Sequence, residues 1–232
     1  MTNQKASIRF LAAVLLLLIG CTAGRISVQS GDRIIFFGDS ITELGVIPSG
    51  YVTLVKEELN RRHTDMEIEI IAAGISGNKV TDLVSRLQRD VLWRNPTIVV
   101  IYIGINDVWH WALQNLQGTT QEEYEGGLRE IIARIQYAGA RVVLCTPSVI
   151  GEKYDATNPQ DAMLEEYAKI SRKVARDLGA RLCDLREAFA AYLLANNKEN
   201  KEQGILTYDR VHLNEEGNKL VAREILKSMG ED

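Results

Sequence analysis

Histidine and cysteine are scarce in this chain, at three residues each, and proline is limited to four among 232 residues. No Cys/His spacing of the zinc-site kind occurs, so the sequence offers no candidate metal centre. Aromatic residues make up 6% and are scattered, which argues against a base-stacking platform for nucleic acid. A basic surface is missing too: the formal net charge is -4, with acids and bases interleaved. No internal repeat and no low-complexity linker appear, which leaves little room for a second domain. What remains is ordinary globular composition, 46% hydrophobic and 25% charged, in a length that suits one well-cored domain.

The first 21 residues are a different object. Lys5 and Arg9 form a short positive region, and Phe10 to Ile19 is an almost unbroken apolar run. The run is too short to span a bilayer comfortably and has the shape of a signal peptide. Its ending, Leu18-Ile19-Gly20-Cys21, resembles a bacterial lipobox, whose cysteine is acylated and becomes the mature N-terminus. The expected organisation is a lipoprotein-type signal peptide over 1–21, a tether over 22–32 and a single domain over 33–232. The protein is expected to be exported, as a membrane-anchored lipoprotein facing the periplasm or cell surface, or otherwise as a periplasmic or secreted enzyme. Cys145 and Cys183 fall in predicted strands as small buried hydrophobes, and a disulfide between them stays open.

Beyond the tether the pattern alternates strand and helix. Strands are predicted at Arg33 to Gly38, Met66 to Ala72, Thr97 to Ile103, Arg141 to Cys145 and Ala180 to Asp184. The second alternates Ile with Glu and suits a sheet edge, whereas the third is all apolar and β-branched, the pattern of a central strand. Helices are predicted over Tyr51 to Arg62, Lys79 to Trp93, Gln121 to Ala138, Asp161 to Leu178, Leu185 to Asn196 and Glu215 to Met229. Strands separated by helices mean parallel crossovers. The expected fold class is α/β, a three-layer α/β/α sandwich around five parallel strands in flavodoxin-like order. The charge run Lys198 to Glu202 reads as a solvated turn.

Polar, glycine-rich punctuation follows the strands: Gly38-Asp39-Ser40, Gly74-Ile75-Ser76-Gly77-Asn78 and Gly104-Ile105-Asn106-Asp107. Asp209-Arg210-Val211-His212 precedes the last helix. In an α/β fold these stretches share the carboxyl rim of the sheet, where ligands bind. Together they supply a nucleophile, oxyanion donors and an Asp-His pair. Of the histidines, His63 ends a helix beside Arg61 and Arg62, and His110 lies between Trp109 and Trp111. His212 has an aspartate three residues earlier, Asp209, close enough to orient its ring, and lies just before a helix capped by Asn214.

In order and spacing these motifs resemble those of the SGNH hydrolases, the GDSL-like lipase/esterase family, across residues 33 to 226. The resemblance implies catalytic Ser40, Asp209 and His212, with an oxyanion hole from Ser40, Gly77 and Asn106. It implies no metal or organic cofactor. Ala72 or Ala73 stands near the place where many members carry an asparagine. Asp39 and Asp107 read as loop-bracing carboxylates, while Asp39, Trp109 and His110 are the candidates for substrate contact. Without a long apolar lid, insoluble triglyceride is a poor fit. The reaction expected is hydrolysis of short-chain esters, above all acetyl esters of carbohydrate. A lysophospholipase or thioesterase is the alternative, and a surface carbohydrate-binding protein is the non-enzymatic one. The expected partner is a small-molecule or carbohydrate ester, with no nucleic acid, and a membrane if Cys21 is acylated.

Overall fold

The computed structural model describes residues 26–113 and 115–231. The segment expected as a signal peptide, with Cys21, lies outside the described residues. Five strands form one parallel sheet: β1 (Arg33–Gly38), β2 (Glu69–Gly74), β3 (Ile98–Tyr102), β4 (Arg141–Cys145) and β5 (Arg181–Cys183). Their order is β2-β1-β3-β4-β5, with β2 at one edge, as its mixed pattern predicts. Register runs Ile34 against Ile70 on one side and against Ile98 on the other. The apolar run of β3 is buried from end to end, as a central strand covered on both faces requires.

The helices are α1 (Ser40–Leu44), α2 (Tyr51–Arg62), α3 (Val80–Asp90), α4 (Ile105–Trp109), α5 (Gln121–Tyr137), α6 (Asp161–Leu178), α7 (Leu185–Asn196) and α8 (Glu215–Ser228). Going from β1 to β2 the chain moves one way across the sheet, and from β2 to β3 it moves back. Right-handed crossovers therefore put α2 on one face and α3, α5 and α6 on the other. The contacts agree: α3 packs on α5 and α5 on α6, while α8 packs on α2 and α7. The reversal occurs between β1 and β3, so the crevice of this topology opens above Gly38 and Gly104.

Capping explains several boundaries. Thr120 and Glu123 form a reciprocal capping box on α5, and Asn214 accepts from Gly217 N at the start of α8. Two short helices, α1 and α4, were not expected from the sequence. Each is five residues long, with Ile41 and Thr42 buried in α1 and Ile105 to Val108 in α4, too short for helical periodicity to register. The region expected as a tether also differs. Ile26 and Val28 are buried in the core, and Asp32 pairs with Arg141 at 2.8 Å. From Ile26 onward that segment belongs to the domain, held by two apolar side chains that a reading for polar linkers passes over.

Cys145 and Cys183 lie directly opposite one another on β4 and β5, buried and unbridged. Beneath the carboxyl rim of the sheet lie paired buried hydroxyls. Tyr51 Oη meets Thr42 Oγ1 at 2.9 Å, Tyr102 donates to Ser148 Oγ at 2.6 Å, and the Tyr51 ring meets Phe36 and Tyr102 edge-on. Buried hydroxyls in this region thus find partners, which is the condition for burying them at low cost.

Candidate active site

Ser40 is the first residue of α1, immediately after the Asp39 cap, so the strand-to-helix turn presents its side chain at the rim. Asp39 Oδ1 accepts from Ile41 N at 3.0 Å. Its carboxyl is 2% exposed, and burial, with Asp107 adding a smaller push, raises its pKa to about 7. The expectation that Asp39 also touches substrate is therefore corrected: its side chain is turned into the fold as a helix cap. Gly38 sits where a Cβ would run into Thr42 Oγ1 and the Tyr102 carbonyl, so the turn can pass this close to β3 only without a side chain.

His212 Nε2 lies 2.9 Å from Ser40 Oγ, and its Nδ1 lies 2.6 Å from Asp209 Oδ2. The remaining oxygen of Asp209 accepts from His212 N at 2.7 Å and Val211 N at 3.1 Å. Against the desolvation that burial imposes, those bonds from the His212 ring and from the two backbone groups hold Asp209 below the usual carboxylate range. The line from carboxylate to imidazole to hydroxyl is unbroken across 172 residues of sequence.

The other rim motifs converge on the same place. Gly77 is exposed at φ +77°, with nothing within 4 Å of where a Cβ would stand, so its backbone conformation and not space calls for glycine. Asn106 is 4% exposed, and its amide donates one bond to Asn78 O at 3.1 Å. An amide nitrogen carries two hydrogens, so a second donor remains. Asp107 braces the loop as expected: it accepts from Val80 N at 3.1 Å, and burial pushes its carboxyl up to about 6.

Of the rim aromatics, Trp109 meets the His212 ring edge-on at 6.5 Å, while Trp111 donates to Thr119 O at 3.3 Å and packs on Gly118. His110 is half-buried, and desolvation, helped by the charge of Lys79, lowers its pKa. His63 lies away from the rim, bonded to Glu231 at 2.9 Å.

Three contributors were not found in the sequence. Tyr208 stacks on the His212 ring at 5.8 Å and remains largely exposed. Glu152, fully buried, accepts from Ile205 N, Leu206 N, Thr207 N and Thr207 Oγ1 at 2.5 to 2.8 Å, tying down the loop that leads into Asp209. Arg86 reaches the rim from α3. Its one signal is position: Leu83, Arg86 and Leu87 share a helix face, and a charged residue on a buried stripe calls for a partner. Glu152 and Tyr208 sit in loops with no periodicity to mark them. Tyr208 also borders a small apolar cavity of about 70 Å³ with Ile41, Leu44, Ile47 and Leu213. Larger grooves of about 670 and 660 Å³ lie along α7 and between α2 and α8, away from the triad.

Comparison with known proteins agrees with this geometry. The chain is 29% identical over 218 residues to the acetylxylan esterase of Geobacillus stearothermophilus, covering 88% of this chain and 96% of that one. It is 26% identical over 205 residues to an isoamyl acetate-hydrolyzing esterase 1 homolog of Rattus norvegicus, covering 82% and 78%. Among solved structures, the acetyl xylan esterase AlAXEase matches with a TM-score of 0.82 and 47% identity, covering 84% of this chain and 98% of that one. The family model of the GDSL-like lipase/acylhydrolases matches residues 36–220. The chain belongs to that family, the SGNH hydrolases, and is a carboxylic ester hydrolase.

Proposed function

We propose that the protein removes acetyl groups from carbohydrate, through an acetyl-enzyme on Ser40, and that it does so outside the cytoplasm. The observation that carries the catalytic part is the hydrogen-bonded line Asp209–His212–Ser40, at 2.6 and 2.9 Å. Ser40 Oγ attacks the acetyl carbon and gives its proton to His212 Nε2, while Asp209 holds the Nδ1 proton and stabilises the imidazolium. The oxyanion is taken by the N–H groups of Ser40 and Gly77 and by the second amide hydrogen of Asn106. Collapse breaks the bond to the sugar oxygen, which leaves with the proton from His212. A water then repeats the sequence, releasing acetate and restoring Ser40.

The substrate assignment draws on three features. Both acetylxylan esterase relatives match over nearly their whole length. The apolar cavity beside Tyr208 is small, about 70 Å³, and suits a short acyl group better than a long chain. Tyr208 and Trp109, flanking His212, offer the flat faces on which a sugar ring packs. Export rests on the amino-terminal sequence, with Cys21 as the lipidation site.

The test uses protein lacking residues 1–21 and its Ser40→Ala variant on p-nitrophenyl acetate, butyrate and octanoate and on acetylated xylan. Ser40→Ala should lose at least about 10⁴-fold in kcat, and wild type should prefer acetate and release acetate from xylan. Equal hydrolysis by both proteins would overturn the triad. Preference for octanoate, or silence on xylan, would overturn the substrate.

A further inference from the structure

Arg86 is 7% exposed, and its guanidinium donates to three groups in the segments around the nucleophile. Nη2 donates to Gly38 O at 2.7 Å, at the end of β1 and two residues before Ser40. Nη1 donates to Ala73 O at 2.9 Å, near the end of β2. Nε donates to Asn78 Oδ1 at 2.6 Å. Asp90 supplies the counter-charge at 3.0 Å, and the guanidinium carbon lies 4.5 Å from the centre of the Phe37 ring.

Asn78 is the link to chemistry. It follows Gly77 directly, its side chain is held by Arg86, and its carbonyl holds the amide of Asn106. One planar fork therefore fixes three things at once: the turn into Ser40, the turn carrying Gly77, and the orientation of Asn106. These are the three sources of oxyanion donors. The alanines near the start of the second motif cannot brace this loop with a side chain, and Arg86 grips the Ala73 carbonyl instead.

We infer that Arg86 is a positioning residue of the oxyanion hole, aligning the donors of Ser40, Gly77 and Asn106 without touching the reacting atoms. The inference rests on the acyl-transfer reading above. A lysine cannot replace it, because an ammonium lacks the rigid fork that reaches three acceptors in one plane. Misplacing catalytic groups by an ångström costs on the order of 10²-fold. Losing one oxyanion donor outright costs roughly 10²–10³.

The experiment is a double-mutant cycle on p-nitrophenyl acetate with Arg86→Lys, Asn106→Ala and the pair combined. Arg86→Lys should lower kcat by about 10-fold or more, with KM within about threefold and the acid limb of the pH profile unmoved. In the Asn106→Ala background the same change should cost severalfold less than in wild type, because one of the three donors it aligns is gone. Should Arg86→Lys fail to fold, Asn78→Ala cuts the same link from the other side. It should lower kcat by at least about threefold in the wild-type background and by less in Asn106→Ala, where only the Gly77 donor still depends on the link. Additive losses, an unchanged kcat in the single variants, or a displaced acid limb would overturn the inference. Full activity in Asn106→Ala would remove the oxyanion reading itself, and the inference with it, a result readable from that variant alone.

Discussion

At the scale of single residues, buried charge shapes the rim. Asp39 caps α1 through Ile41 N, yet its carboxyl is buried and its pKa stands at about 7. In the unfolded chain it would titrate near 3.8. Between those values the folded state keeps a proton that the unfolded state has released. The contribution of Asp39 is thus undiminished below about pH 4 and lost as pH rises towards 7. At 1.36 kcal/mol per unit, the loss is on the order of 4 kcal/mol. Asn can cap as well as Asp and carries no charge. Asp39→Asn should therefore be more stable than wild type at pH 8, by about 1 kcal/mol or more, with the advantage fading towards pH 4. Urea unfolding of both proteins at several pH values reads the difference directly, and a constant gap across pH would refute it. Asp39 was legible as part of a strand-end motif, but not its burial, which depends on how β1, β3 and α1 close over it.

At the scale of elements, the strands and long helices were readable because their patterns are periodic. Tyr51–Arg62, Asp161–Leu178 and Leu185–Asn196 have the boundaries their sequence predicts. The second strand runs Glu69–Gly74, a few residues later than expected, because its ladder follows β1 and not the Ile/Glu alternation. What was not legible is how the loop between α7 and α8 holds Asp209 and His212 still. One small bridge, Thr207 to Leu213, closes it. Glu152 then collects three successive N–H groups, and Gly151 N donates to Arg210 O at 2.8 Å, at a residue held at φ +81°. A buried carboxylate stripped from such donors leaves each of them unpaired, at about 1–3 kcal/mol apiece. Glu152→Ala should therefore lower the melting temperature and reduce kcat with little change in KM, as the acid-base loop loosens. Glu152→Gln keeps one acceptor oxygen but sets its amide against Ile205 N–H, and should fall between. Thermal melts with steady-state kinetics below the transition check both, and wild-type kcat in folded Glu152→Ala would show that the loop is held by other means.

At the scale of the whole molecule, the entry of the chain and the catalytic rim lie at opposite ends of the sheet. Ile26 packs beside Ala140, Arg141, Gly179 and Arg181, where β4 and β5 begin, and Arg141 donates to Ser27 O at 2.7 Å. Ser40 follows the far end of β1, six residues on, or roughly 20 Å at 3.3 Å per residue. Four residues separate Cys21 from Ile26, and even fully extended such a link spans only about 14–18 Å. An acyl group on Cys21 would hold the amino edge of the sheet close to the membrane and turn the rim outward. That arrangement fits a polymer approaching from solvent and ill suits an ester drawn from the bilayer beneath. Full-length protein from bacterial membranes should partition into detergent, and Cys21→Ser should not. Reconstituted on vesicles, the acylated protein should deacetylate xylan within about twofold of the Cys21→Ser form, since the triad faces away from the surface that holds it. A Cys21→Ser protein that still enters detergent would place the anchor elsewhere, and a severalfold loss on vesicles for xylan but not for p-nitrophenyl acetate would mean that the rim faces the membrane.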